Sequence, residues 1–205
     1  MAKQKAFFLT IIFFIPFLLG VGIVGYWYWT SRIEKKSLLP DFGTVPEFSL
    51  TSEQNQTVTR KQLLGKVSII DFIFTECAGA CPVMTMKMND LQKVVRTEPA
   101  IQLLSVSVDP ETDTPDVLKK YAGNHDAITG KWIFLTGRKE SIYNLTKEGF
   151  HLGLDIEGEN AIIHSQKFVL VDYRGEIRGY YDSDDDDAMK NLIRDALVLS
   201  RKVPA

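Results

Sequence analysis

The sequence predicts an α/β domain behind a single N-terminal transmembrane helix, and three observations predict it. The 24 residues from Ala6 to Trp29 carry no charge; residues 67–108 read as strand, helix, strand; and a strand pair and a helix close the chain after Lys167. As a helix the uncharged run would be about 36 Å long, enough for a hydrocarbon core of roughly 30 Å. Lys3 and Lys5 precede it, Tyr26, Trp27, Tyr28 and Trp29 form an aromatic belt at its far end, and Arg32, Lys35 and Lys36 follow. A cleaved leader would end in small residues, and this run ends in aromatic ones, so residues 1–36 are expected to be a tail and a retained anchor. Gly20, Gly22 and Gly25 spell a dinucleotide-binding fingerprint, but inside an apolar anchor with no preceding strand their expected use is close helix packing.

Residues 37–46, with two prolines, read as a linker, and residues 47–205 have the length of one domain with one core. A hairpin is expected around Phe48–Thr59. Val67–Phe74 is nearly continuous in apolar and β-branched residues, as in a strand buried on both faces of a parallel sheet. Pro82–Arg96 places Met84, Met88, Leu91 and Val95 on one helix face, and Ile101–Val108 is a second apolar strand, completing a βαβ unit. Thr114-Pro115 supplies an N-cap and a first-turn proline for a helix to about Tyr121. Lys131–Thr136 reads as a strand, and Lys139–Glu148 as a helix stopped by Gly149. Lys167–Asp172 and Glu176–Tyr181 read as a hairpin turning at Tyr173-Arg174-Gly175, and Asp186–Arg201 as the last helix. This is the element order of a thioredoxin-like α/β sandwich.

Cys77 and Cys81 are the only cysteines among 205 residues, and they directly follow the Val67 strand. One pair is too few for a disulfide scaffold, and a closed zinc site would need two more protein ligands. A reactive dithiol or part of an open metal site remains. On a helix, positions i and i+4 stand with Cβ atoms roughly 5–6 Å apart, whereas an unstrained disulfide wants about 3.8 Å. The spacing favours two thiolates on one ion. It leaves a disulfide open, since Ala78-Gly79-Ala80 is small and Pro82 suits a first helical position. Reactive groups of open α/β sheets collect beyond strand carboxyl ends, where Cys77, Cys81 and Asp109 fall. Antiparallel insertion of the Lys167 strand would bring its start, just after His164, to the same edge.

Gly65-Lys66-Val67, Phe72-Ile73-Phe74-Thr75, Cys77, Cys81-Pro82, Ser105–Pro110, His164-Ser165 and Phe168–Asp172 resemble the Sco/SenC copper proteins across nearly the whole soluble domain. The resemblance implies a thioredoxin-like domain on one N-terminal helix that serves assembly of the binuclear copper centre of cytochrome c oxidase subunit II. It also implies Cys77 and Cys81 as thiolate ligands and His164 as the imidazole ligand. Soft thiolates select copper, above all Cu(I), and imidazole suits it in either oxidation state, although Cys₂His with water would also hold zinc. Many relatives carry Asp before the histidine, where this chain has Ile163. Oxidoreductases of the thioredoxin fold resemble one another in a cis-proline beside the dithiol, and here no proline lies between Pro115 and Pro204.

Net charge is −2, from 24 basic and 26 acidic residues, with no basic cluster beyond the juxtamembrane residues, which argues against a nucleic-acid partner. His125 and His151 are expected to face solvent, and Met84 and Met88 to pack in the core rather than ligate copper. Asp109 is either a turn residue or a carboxylate serving the dithiol. The five aspartates of Asp182–Asp187 read as a helix cap. The expectation is a copper chaperone rather than a turnover enzyme, holding Cu(I) and also Cu(II), with a copper donor protein and a membrane-bound copper acceptor as partners. The alternatives are a thiol-disulfide oxidoreductase acting on the acceptor's cysteines and, behind it, a thiol peroxidase. Placement is expected in the bacterial inner membrane with the domain on the extracytoplasmic side, or in the mitochondrial inner membrane facing the intermembrane space.

Overall fold

The computed structural model describes residues 19–26, 39–77, 79, 81–152 and 166–204. Residues 19–26 are helical, with Leu19, Val21, Ile23 and Val24 exposed. Among the described residues no helix is long and apolar enough to cross a membrane. Most of the predicted anchor, and His164 with it, lies outside them.

From Pro40 onward the chain forms one compact unit around a mixed seven-stranded sheet. Its strands are β1 (Ser49–Ser52), β2 (Thr57–Thr59), β3 (Val67–Ile73), β4 (Ile101–Ser107), β5 (Trp132–Thr136), β6 (Lys167–Val171) and β7 (Ile177–Asp182), in the order β2-β1-β5-β4-β3-β6-β7. The helices are α1 (Cys81–Val94), α2 (Pro115–Asn124), α3 (Lys139–Asn144) and α4 (Asp186–Ser200). β3, β4 and β5 run parallel, and every residue of β3 and β4 is buried, as their apolar composition requires. β6 is inserted antiparallel beside β3, with Ile70 opposite Val169 and Ser68 opposite Val171. The start of β6 therefore lies at the edge where β3 ends.

Alternation along the strands divides the core in two. Ile70, Phe72, Leu104, Val106 and Leu135 pack with Ile142 of α3 and with Leu145 and Phe150 after it. Asp71, Ser105 and Trp132 point to the opposite face, joined by hydrogen bonds. α2 lies on that face, its Tyr121 ring meeting Phe134 of β5 at 6.0 Å. α1 is tied to α2 by the hydroxyl pair Thr85–Tyr121 at 2.9 Å, and to the start of α4 by Lys87, which meets Asp186 at 3.7 Å and donates to the Ser183 carbonyl.

Two local features depart from the sequence reading. The helix begun at Lys139 continues as one π turn over Leu145–Gly149. There Thr146 donates its hydroxyl to the Ile142 carbonyl, and Gly149 passes so close to Pro46 that a Cβ would come within 2.9 Å of its ring. Residues 37–46 read as a short linker with two prolines, and in the structure the segment from Phe42 to Val45 is sewn to the β6–β7 hairpin. Phe42 N–H donates to the Ile177 carbonyl, Ile177 N–H to Gly43, and Val45 N–H to Gly175, and Val45 is fully buried.

Candidate functional site

Beyond Ile73 the ladder with β4 closes through Val108 N–H donating to the Ile73 carbonyl at 2.9 Å, and the chain then turns. Cys77 N–H donates to Phe74 O at 3.3 Å, Gly79 N–H points at Cys77 Sγ at 3.3 Å, and Cys81 opens α1. Both cysteines thus stand past the carboxyl end of a central parallel strand, as the sequence reading places them. Neither is in a disulfide; Cys77 is half-buried and Cys81 is 7% exposed.

Burial pushes the Cys81 thiol up to about 12, and the hydrogen bond it shares with Cys77 pushes the same way. Desolvation dominates, as it does for any ionisable group in an apolar pocket, and Cys81 is a protonated thiol at neutral pH. The two sulfurs are close enough to hydrogen-bond, so one incoming electrophile or soft cation meets both.

Two buried carboxyls that the sequence reading passed over lie beneath this turn. Asp71, in the middle of β3 and fully buried, is pushed up to about 7 by desolvation, against the opposing effect of the Ser105 hydroxyl that donates to Oδ1 at 2.6 Å. Its Oδ2 has no hydrogen-bond partner. Its charge acts on both Cys81 and Tyr121. Asp113, also fully buried, gathers donors from two chain segments. Thr75 donates its hydroxyl to Oδ1 at 2.5 Å and its N–H to Oδ2 at 3.1 Å, and the Ser107 hydroxyl reaches Oδ2 at 2.5 Å. Asp109, the carboxylate singled out from sequence, uses its backbone here: its N–H donates to Ser107 Oγ and its carbonyl accepts from Asp113 N–H. An aspartate inside an apolar strand run is the signal that could have flagged Asp71.

The histidines divide. His125 caps the end of α2, meets the Tyr121 ring at 4.5 Å in a tilted contact and is half-buried, against the expectation of a solvent-facing ring; His151 is exposed. His164 lies outside the described residues. Among the described residues no three His, Cys, Asp or Glu side chains form a metal-sized group. Met84 and Met88 are core residues, as expected, and Met86 is 57% exposed. Asp185 caps α4, accepting from Asp187 and Ala188 N–H, so the acidic run serves as the expected cap.

The SCO1/SenC family model matches residues 38–197, nearly all of this compact unit. The chain belongs to the SCO1/SenC family. A SCO1 protein homolog of Bacillus subtilis (strain 168) is 36% identical over 154 residues, 74% of this chain and 80% of that protein. BsSco, a member of the Sco family of cytochrome c oxidase assembly proteins in which a disulfide switch has been identified, superposes with a TM-score of 0.70 at 31% identity, over 80% of this chain and 97% of that one. Yeast Sco1 with copper bound is similar in fold, with a TM-score of 0.59 at 24% identity over 76% and 88% of the two chains. This SCO1/SenC chain thus carries its dithiol where α/β sheets gather reactive groups.

Proposed function

We propose that this SCO1/SenC chain is a membrane-tethered copper chaperone that carries copper as cargo on Cys77, Cys81 and His164. It delivers that cargo to a membrane-bound acceptor, the binuclear site of cytochrome c oxidase subunit II. The observation that carries the reading is a pair of adjacent sulfurs, in no disulfide, at the carboxyl end of β3 in a chain of this family. The donor set fits: two thiolates are soft ligands with a preference for Cu(I), and an imidazole completes a three-ligand site that leaves room for an acceptor's ligand to enter. Family members named for cytochrome c oxidase assembly, and one solved with copper bound, support the choice of metal and acceptor. The uncharged run Ala6–Trp29 supplies the tether, which keeps the cargo at high effective concentration beside an acceptor in the same membrane. Residues 47–205 face the extracytoplasmic side of a bacterial inner membrane in this reading.

Each thiol must lose its proton to bind the ion, so loading releases protons and weakens as pH falls. The deciding experiment titrates the reduced chain with copper and follows thiolate-to-metal charge-transfer absorption, then repeats with Cys77, Cys81 and His164 replaced singly. His164→Ala is expected to weaken copper binding sharply while leaving dithiol exchange near the parent rate. Unchanged copper affinity would remove His164 from the ligand set.

A second reading has its own observation. The hydrogen bond between Cys77 and Cys81 brings the sulfurs to where an oxidant could couple them, and BsSco is a relative with a disulfide switch. On that reading the chain reduces the acceptor's cysteine pair and becomes oxidised itself. Exchange with an oxidised acceptor peptide in the absence of copper tests it.

A further inference from the structure

A buried carboxylate from beyond β4 reaches into the turn between β3 and α1. We infer that Asp113 is the positioning residue of the dithiol: it fixes the Phe74–Cys77 turn to the end of β4 and so sets where Cys77 stands relative to Cys81. The inference rests on the proposed function only in taking this dithiol as the working site.

Asp113 has no exposed surface, and both its oxygens are engaged. Its carboxylate accepts from the Thr75 hydroxyl at 2.5 Å, from Thr75 N–H at 3.1 and 3.4 Å, and from the Ser107 hydroxyl at 2.5 Å. Ser107 is the last residue of β4 and Thr75 lies two residues before Cys77, so one carboxylate bridges the two strands where their ladder stops. Its own position is fixed in turn, because Asp113 N–H donates to the Asp109 carbonyl at 2.9 Å and Asp109 N–H donates back to Ser107 Oγ at 3.1 Å. Between Thr75 and the sulfur only Glu76 intervenes, and Glu76 is exposed. Within the turn itself, the Cys77 N–H to Phe74 O bond of 3.3 Å is local and long. At 2.5 Å the two hydroxyl contacts to Asp113 are of the short, strong kind that a carboxyl oxygen makes. The Asp113 cluster therefore adds, to the bonds Phe74 makes within the loop, the tie that holds the turn to another part of the chain. Both Asp113 oxygens are spent on Thr75, two residues before Cys77, and on Ser107, at the end of β4.

The test uses the reduced full-length chain, free of metal, with the rate of Cys77 alkylation by a maleimide measured beside the unfolding free energy. Asp113→Asn keeps the shape and removes the charge, and Thr75→Val removes one hydroxyl; each is expected to raise the Cys77 rate about tenfold by opening the turn locally. Thr75→Ser, which keeps the hydroxyl, is expected at the parent rate. Asp172→Asn, a comparably buried acid at the other end of the sheet, is expected to lower stability while leaving the Cys77 rate unchanged. Parent rates in both Asp113→Asn and Thr75→Val overturn the inference, as does an equal acceleration in Asp172→Asn. Should Asp113→Asn not fold, Thr75→Val against Thr75→Ser decides alone. Copper uptake is measured in parallel, with an expected loss of about tenfold in affinity for the two accelerated variants. A parent chain that takes up no copper would refute the proposed function while the alkylation series still decides the role of Asp113.

Discussion

At the scale of single residues, buried acidity is the dominant theme. Asp71 binds its proton more tightly folded than unfolded, with its carboxyl moved from 3.8 to about 7. Folding therefore takes up a proton across that window, so stability is greatest at its acid end, falls as pH rises through it, and is level above it. The whole change is worth roughly 4 kcal/mol at most. Asp71→Asn is expected to flatten the pH dependence of the urea midpoint between about pH 4 and pH 7; a slope equal to the parent's would show that Asp71 is not its source. Cys81 bears on reactivity. Its thiol is buried and pushed up to about 12, while Cys77 is half-buried, so limited iodoacetamide at neutral pH should label Cys77 first, which peptide mass spectrometry reads directly. Cys77 and Cys81 were legible as a chemical pair from spacing and count alone. Asp71 and Asp113 were not, because their importance comes from Ser105, Thr75 and Ser107, partners brought near only by the fold.

At the scale of elements, what the sequence states locally is what it predicts well. Thr114-Pro115 starts α2 with its hydroxyl accepting from Val117 N–H, and Asp185 starts α4 in the same manner. Asp185→Ala should cost about 1 kcal/mol of unfolding free energy by chemical denaturation, the usual worth of an N-cap. Gly175, at φ +79°, makes the β6–β7 turn that the Tyr173-Arg174-Gly175 run announces. The π turn at Leu145–Gly149 was not announced, since a helical pattern with a glycine at its end reads equally well as an ordinary stop. Its last residue, Gly149, lies against Pro46, about a hundred residues away in the chain. Gly149→Ala should accordingly cost about 1–3 kcal/mol through overpacking, more than helix propensity would predict from an alanine; a neutral or stabilising result would count against that contact.

At the scale of the whole molecule, hydrophobic patterning carried most of the topology. Two largely apolar strands demanded a covered parallel centre, and β6 enters it antiparallel to β3 with β7 on its other side. The strap of residues 40–45 escaped because its pairing is backbone to backbone and its only deeply buried side chain is Val45. Removing residues 1–39 should leave the unfolding free energy of the compact unit unchanged, whereas removing residues 1–47 should lower it by roughly 3 kcal/mol or more, from Val45, Phe42 and three hydrogen bonds. Equal stability of the two truncations would deny the strap any part in the fold. Val45 is fastened beside Gly175, at the amino ends of the parallel strands, and β3 puts seven residues, about 20 Å, between that end and the sulfurs. A pull on the chain ahead of residue 40 would therefore enter at the β6–β7 corner, at the end of β3 remote from the cysteine loop.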